Sequence, residues 1–151
     1  MVNQSFDMRI YLDNCCFNRP FDDQMDARVR LETEAKLQIQ EQVRTKQLEL
    51  AWSYILDYEN SKNPFLERKI AIQDWRDHAV IEIKVSPDLI KKAHALYQKN
   101  IKAKDALHVA CAIKAKCRYF ITTDDVLIRR LAGLSEIGVV NPTSFIVRVI
   151  P

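Results

Sequence analysis

The stretch RIYLDNCCFNRPFDD, residues 9–23, decides the fold of this 151-residue chain. Residues 8–13 have the composition of a buried strand, and that strand runs directly into the pair Asp13–Asn14. Two adjacent cysteines and a polar loop follow. A carboxylate that stands where a buried strand stops indicates either a cap for the next turn or a ligand-binding edge of a sheet.

The remainder of the sequence alternates between strand-like and helix-like segments. Further strands are predicted at 48–53, 80–85, 118–123 and 137–141. Helices are predicted at 26–46, 54–63 and 65–79, from a Ser-Pro-Asp start signal at 86–88 to about Asn100, from about Asp105 to about Lys116, and over 124–132. This alternation predicts an α/β fold, a three-layer α/β/α sandwich around a central parallel sheet. Sheets of this kind bind ligands beyond the carboxyl ends of their strands.

The longest predicted helix, 26–46, has an apolar residue at every fourth position. This spacing keeps the apolar side chains on one face of a helix. We therefore expect that face to pack against the core; its members are Leu31, Ala35, Ile39 and Val43.

The overall composition fits one domain over residues 1–151, with a possible loose tail at residues 1–7. Hydrophobic residues make up 48% of the chain, and 23 basic minus 20 acidic residues give a net charge of +3. An anionic ligand would therefore be held by a local patch and not by the overall field. No stretch approaches the ~20 apolar residues of a membrane span, and the start lacks the order of a signal peptide, so we expect a cytoplasmic protein without a membrane partner.

Two classes of site are disfavoured by the residue types present. The four cysteines include no Cys-x-x-Cys pair, so a zinc site is not expected and reduced, packing thiols are. The two glycines, Gly133 and Gly138, come late in the chain. A glycine-rich phosphate loop is therefore absent from the sequence, and with it the usual dinucleotide-binding motif.

Four acidic residues lie at or shortly after the predicted ends of strands, or at the start of a helix, where they can reach the ligand-binding edge of the sheet. Asp13 ends the first predicted strand, Glu59 lies on the helix after the second, Asp105 opens a helix, and Asp124 follows the strand at 118–123. Carboxylates that converge repel one another, and a hard divalent cation such as Mg²⁺ or Mn²⁺ relieves that repulsion. Each acid also fits a structural role, since Asp13, Asp105 and Asp124 suit helix caps and Glu59 suits a solvated helix face.

At this point the sequence resembles the PIN-domain family of metal-dependent ribonucleases. IYLDNCCFNR is similar to the family's first motif, and SYILDYE, with Ser53 leading to Glu59, to its second. IKAKDALHVACA is similar to the third motif, and FITTDDVLI to the fourth. The four motifs follow in the family's order from Met8 to about residue 146.

The resemblance implies that the acidic cluster is the catalytic and metal-binding site, formed by Asp13, Glu59, Asp105 and Asp124. It puts supporting polar residues at Asn14, Ser53 and Thr122. Two alternatives stay open. Asp125 is a second candidate for the outer ligand, and Asp57 ranks below Glu59 because a separation of two residues puts it on another helix face.

The chemistry that follows from the resemblance is hydrolysis of RNA phosphodiester bonds with Mg²⁺ or Mn²⁺. The ion would polarise the phosphoryl oxygen and activate a water molecule. We expect Asn14 to orient Asp13 or a water, and the dipole of the helix that begins near Asp105 to keep that carboxylate ionised.

Basic residues lie close to these acids in the sequence and are candidates for holding the RNA backbone; they are Arg19, Lys102, Lys104 and Arg129. Solvation of helix faces explains each of them equally well. His108, one turn after Asp105, is expected to be a structural histidine whose replacement by alanine leaves activity intact.

The partners that the resemblance implies are RNA, an antitoxin protein and a second copy of the chain. Small PIN domains are often toxins of toxin–antitoxin pairs, and the helices at 28–46 and 65–79 carry apolar stripes suited to a homodimer. The alternative is a catalytically weak RNA-binding or interaction module. A haloacid-dehalogenase-type phosphatase is disfavoured because Cys15 stands where that family has its second aspartate, and a receiver domain because its later lysine and phospho-acceptor lack counterparts.

Overall fold

The computed structural model describes residues 8–149, so the tail predicted at residues 1–7 lies outside the described range. Five strands form one sheet in the order β3-β2-β1-β4-β5, and every neighbouring pair is parallel. The strands are β1 (Arg9–Leu12), β2 (Glu49–Ser53), β3 (Ala79–Ile83), β4 (Tyr119–Ile121) and β5 (Gly138–Val140).

Helices follow each strand along the described chain. They are α1 (Asn14–Asn18), α2 (Ala27–Arg44), α3 (Tyr54–Ser61), α4 (Leu66–Gln73), α5 (Pro87–Tyr97), α6 (Ala103–Lys114), α7 (Asp125–Arg130) and α8 (Pro142–Val149), with 3₁₀ turns at Arg19–Phe21 and Asp74–His78. Among the described residues, no helix combines the length and the apolar character needed to cross a bilayer.

The strand order places helices on both faces of the sheet. The chain moves outward from β1 to β2 through α2, and then crosses back from β3 to β4 through α5 and α6. Because parallel crossovers are right-handed, connections that run in opposite directions cover opposite faces. Helix α5 packs on α6, and α2 packs on α8. The predicted three-layer α/β/α sandwich with a parallel sheet is confirmed.

Strand β1 occupies the centre, and this position locates the site. It pairs with β2 on one side, where Ile10 faces Leu50, and with β4 on the other, where Leu12 faces Ile121. The chain goes from β1 to β2 in one direction and later reaches β4 in the other. The gap between the carboxyl ends of β1 and β4 is therefore the topological switch point, where open α/β sheets bind ligands.

Helix α2 differs from its predicted pattern. Ala35, Ile39 and Val43 are buried as expected, but Leu31 is 55% exposed and its neighbour Glu32 is 1% exposed. Glu32 faces inward because it accepts hydrogen bonds from the guanidinium groups of both Arg19 and Arg28. An apolar period alone could not reveal that an ion-paired glutamate lies on the buried side of the helix while Leu31 does not.

Other bounds differ from the sequence prediction in shorter segments. The helix predicted at 65–79 ends at Gln73 and continues as a 3₁₀ turn. The loop predicted after Asp13 begins with the five-residue helix α1, which Asp13 caps by accepting a hydrogen bond from the Asn14 N–H. Helix α8 follows Asn141, where the sequence analysis predicted no helix.

Candidate active site

Asp13 lies at the switch point, and its carboxylate is fixed by neutral donors. One oxygen, Oδ1, accepts from the backbone N–H of Asn14 at 2.8 Å, and Oδ2 accepts from the Thr122 hydroxyl at 2.8 Å. The Cys15 thiol lies 3.4 Å from Oδ2. Asp13 is only 7% exposed. The ends of β1 and β4 thus hold a nearly buried carboxylate in one orientation.

A chain of hydrogen bonds through His108, Tyr11 and Ser53 positions Glu59. Its Oε1 contacts Nε2 of His108, whose Nδ1 lies 2.6 Å from the Tyr11 hydroxyl. That hydroxyl lies 2.6 Å from Ser53 Oγ, which also accepts from the Leu56 N–H and so caps α3. Because a carboxylate can only accept, His108 Nε2 donates to Glu59, and the imidazole links that carboxylate to Tyr11 and Ser53.

The ionisation of Glu59 follows from these contacts. Burial opposes its charge, but the hydrogen bond and charge of His108, together with Lys104 at 3.8 Å, outweigh burial and lower the pKa of Glu59. Burial likewise raises the pKa of the Tyr11 phenol, so Tyr11 keeps its proton at neutral pH. Glu59 therefore faces the cluster as a carboxylate.

Asp105 lies in the first turn of α6, where Lys102 holds the N-cap position. Burial, followed by the negative charges of Asp13 and Asp124, raises the pKa of Asp105 to about 6. The helix dipole was expected to keep this carboxylate ionised, and with a pKa of about 6 it is still mostly ionised at pH 7. Burial and the two like charges make Asp105 a weaker acid than an exposed aspartate.

Asp124 and Asp125 have different surroundings. Asp124 caps α7, since its Oδ1 accepts from the N–H groups of Val126 and Leu127, and it lines a cleft of about 200 Å³ together with Asp105. Asp125 is exposed and forms a bidentate ion pair with Arg28 at 2.6 and 2.7 Å. Asp124 is thus the member of this pair that shares a cleft with another acid of the cluster.

The donor atoms of three residues are close enough for one ion. One ligand atom each from Asp13, Glu59 and His108 lie within 4.8 Å of one another. His108 Nε2 is 4.0 Å from Asp13 Oδ1. Asp105 and Asp124 add carboxylates on the neighbouring wall of the cleft. This set is rich in oxygen donors, which suits Mg²⁺ or Mn²⁺.

The supporting residues named from the sequence also have defined contacts. Thr122 Oγ1 donates to Asp13 and accepts from the Asp124 N–H at 3.1 Å, so it links two of the acids. The side-chain Oδ1 of Asn14 is buried and has no hydrogen-bond partner within residues 8–149. Asp57 points elsewhere, because its Oδ1 accepts from Trp52 and Gln73.

The basic residues fall into two groups. Lys102 lines the cleft of Asp105, and Lys104 approaches Glu59, so both lie beside the acids. Arg129 is exposed in the last turn of α7. Arg19 is engaged elsewhere, since its guanidinium pairs with Glu32 at 2.8 Å and with Asp22 at 3.0 Å.

Two residues of the site carry more weight than the sequence analysis gave them. Tyr11 precedes Asp13 by two positions, so both side chains leave the same face of β1. His108 follows Asp105 by three positions and lies on the same face of α6. These spacings were available in the sequence, but the contact between His108 and Glu59 depends on how α6 packs on α3.

The fold and sequence were compared with known proteins. The family model described as PIN domain matches residues 10–134. No curated protein shows significant sequence similarity to the chain.

Three solved structures are similar in fold. A toxin–antitoxin complex from Klebsiella pneumoniae contains a chain that is 19% identical, with a TM-score of 0.59, covering 88% of this chain and 97% of that one. A chain in the crystal structure of VapBC2 from Rickettsia felis bound to a DNA fragment from their promoter is 17% identical, with a TM-score of 0.54, covering 89% of this chain and 98% of that one. A chain in the crystal structure of DNA-bound VapBC from Salmonella typhimurium is 13% identical, with a TM-score of 0.52, covering 89% of this chain and 98% of that one.

Proposed function

Because the chain belongs to the PIN domain family, we propose that it is a metal-dependent endoribonuclease that hydrolyses RNA phosphodiester bonds at the cluster of Asp13, Glu59, Asp105 and Asp124. The observation that carries the proposal is geometric. Ligand atoms of Asp13 and Glu59 lie within 4.8 Å of one another, and Asp105 and Asp124 line one cleft, at the edge of the sheet where the topology favours a ligand. Carboxylates gathered in this way repel one another, and a divalent cation would relieve that repulsion.

Asp13 and Glu59 would hold a divalent ion, with Asp105 and Asp124 completing the acidic wall. The ion would supply neutralisation of the phosphodiester charge and activation of the attacking water. The residues of the chain do the positioning. Thr122 and the Asn14 N–H fix both oxygens of Asp13, and the chain that begins at Ser53 fixes Glu59 through His108.

Lys102, Lys104 and Arg129 would contact the phosphates of the RNA. The first two lie beside the acids and are exposed, so a polyanion can reach them. Arg19 was also predicted to hold RNA, but its present partners are carboxylates of the protein. Its role in binding would require exchange of those pairs, so we rank it last.

We further propose that the protein is the toxin of a toxin–antitoxin pair and that it forms a homodimer. The similar solved structures are toxin–antitoxin complexes, which supports a protein partner of that kind. Leu66 and Ile70 on α4 are 69% and 53% exposed, and Leu31 and Leu37 on α2 are 55% and 50% exposed. Apolar surface of this kind on two helices suits contact with another chain.

The test compares purified wild type with Asp105→Asn and Asp88→Asn on a pool of labelled RNAs. Asp88 is the matched control, because it also lies in the first turn of a helix, α5, and is exposed. We expect Mg²⁺ or Mn²⁺ to support cleavage by wild type and Asp88→Asn, EDTA to stop it, and Asp105→Asn to lose about 100-fold or more.

A second readout does not depend on activity. Mn²⁺ should raise the melting temperature of wild type and of Asp88→Asn but not of Asp13→Asn, because an ion that binds only the folded state stabilises it. Equal cleavage by Asp105→Asn and wild type would reveal a contaminating ribonuclease. RNA binding by wild type without any cleavage would favour the non-catalytic module instead.

A further inference from the structure

A second cleft, of about 260 Å³, opens beside the acidic cluster where the chain turns from α3 into α4. It shares Glu59 with the cluster and Asn14 with the turn that holds Asp13. The two sites are therefore continuous. Its lining residues include Asn18, Lys62, Phe65 and Arg68.

This surface combines exposed aromatic rings with cations. The guanidinium carbon of Arg68 lies 4.0 Å from the centroid of the Phe65 ring and 5.3 Å from that of Phe21. Phe65 is 53% exposed and Phe21 is 36% exposed. We call Phe21, Phe65 and Arg68 the aromatic shelf. Lys62, at the rim, lies over the ring of Tyr58 at 5.3 Å.

The aromatic shelf contributes little to the stability of the folded state. Half of the Phe65 side chain faces solvent, so its burial adds less to stability than that of a core phenylalanine. Within residues 8–149, neither Arg68 nor Lys62 forms a salt bridge with an acid of the chain. Two cations therefore remain available for an anionic ligand.

We propose that the aromatic shelf binds an unpaired segment of the RNA next to the cleaved bond, with a base stacked on Phe65 and Arg68 and a phosphate near Lys62. The proposal rests on the proposed function and adds the surface of this chain that would hold the substrate beside the acidic cluster. Rings beside cations are the chemistry by which proteins bind single strands, since every base has a face that stacks. A base paired within a duplex is already stacked and cannot occupy the shelf.

A protein segment is the other class of ligand that exposed rings attract. The cleft on the neighbouring part of α4 suits it better, because its walls are mostly apolar and include Leu66 and Ile70. The aromatic shelf differs by having exposed aromatic rings beside its cations and by joining the acidic cluster through Glu59. These two features favour the nucleic acid.

The test measures binding of a fluorescent single-stranded RNA 12-mer by anisotropy, in Ca²⁺ and separately in EDTA, for wild type, Phe65→Ala, Phe65→Trp and Ile90→Ala. Ile90 is the control, because it is an apolar residue of similar exposure (47%) that lies far from the aromatic shelf. It is on α5, and the Ser86 cap of α5 contacts Lys114, at the end of α6 opposite to Asp105. We expect Phe65→Ala to weaken binding about tenfold. Phe65→Trp and Ile90→Ala should bind as wild type does, and a duplex of the same sequence should compete at least about tenfold less well.

The outcomes separate this inference from the proposed function. If wild type cleaves RNA but Phe65→Ala leaves both the Kd and the KM unchanged, or duplex competes as well as single strand, the aromatic shelf is not the binding surface. Loss of a protein partner by Phe65→Ala, with RNA affinity unchanged, would also overturn it. If wild type binds the single strand through Phe65 but cleaves nothing, the shelf stands and the nuclease proposal fails.

Discussion

Two carboxylates of this protein are almost excluded from water, and their surroundings are opposite. Glu32, 1% exposed, accepts from Arg19 at 2.9 Å, from Arg28 at 3.1 Å and from the side-chain amide of Asn141 at 2.5 Å. Asp13, 7% exposed, accepts from a backbone N–H, a hydroxyl and a thiol.

The difference separates an acid whose charge is compensated by cations of the chain from one whose hydrogen-bond donors are all neutral. The charge of Glu32 is compensated by two guanidinium groups that belong to the chain itself, so this network is complete as folded. The charge of Asp13 is compensated by none of its hydrogen-bond donors, and it acts instead to raise the pKa of Asp105. A buried acid without a cation of its own is one that the fold leaves for a ligand to satisfy.

The largest expected effect is the difference in unfolding free energy between amide substitutions at these two acids. Glu32→Gln leaves Arg19 without its buried partner and should destabilise the protein by about 2–3 kcal/mol. Asp13→Asn removes a repulsive charge and should leave the metal-free stability unchanged or raise it. Urea unfolding in EDTA measures both, with exposed Glu34→Gln on the same helix as the control. A destabilisation by Asp13→Asn that equals that of Glu32→Gln would remove the distinction.

A smaller effect is expected at His108, which belongs to the acidic cluster through Glu59. His108→Ala frees Glu59 and leaves the Tyr11 hydroxyl without one partner, so cleavage should fall about tenfold. This replaces the expectation from sequence that His108→Ala retains activity. The control is His94→Ala, at an exposed histidine near the end of α5. Wild-type rates in both variants would return His108 to a purely structural role.

The smallest effect is a dependence of stability on pH. Asp105 has a pKa of about 6 when folded, against 3.8 as its ordinary value, so the folded state binds this proton more tightly. Protonated Asp105 therefore favours the folded state at low pH, and this stabilisation is lost as the pH rises from about 4 to about 6. The difference in urea midpoint between Asp105→Asn and wild type in EDTA should grow across that window. A constant difference would mean that neither burial nor the neighbouring charges raise the pKa of Asp105.

Local signals made the strands and the acids predictable from sequence. Asp13 and Asp124 follow short apolar runs, and a run of that kind ending in a polar residue identifies both the strand and its carboxyl end. Since all carboxyl ends of a parallel sheet meet at one edge, the approximate position of the cluster followed from the topology alone. The start of α5 was equally local, because Ser86 and Pro87 form its cap and first position.

Contacts between distant segments were not predictable in the same way. Arg28 joins α2 to the start of α7 through Asp125, a pairing across 97 positions, and the same guanidinium donates to Glu32. No period within α2 records that partner. The contact between His108 and Glu59 is of the same kind, since each residue alone is typical of an ordinary helix surface or core.

The central position of β1 has a consequence for how the protein is made. Ile10 pairs with Leu50 on one side but with Tyr119 on the other, so one edge of β1 waits for a strand that is synthesised much later. Long-range parallel pairing of this kind is slow and leaves apolar edges exposed in the nascent chain. Asp124 follows β4, so the fourth carboxylate emerges from the ribosome only after the strand that closes that edge. A partly synthesised copy without β4 and β5 has three of the five strands and lacks Asp124, and its unpaired β1 edge is a site for aggregation.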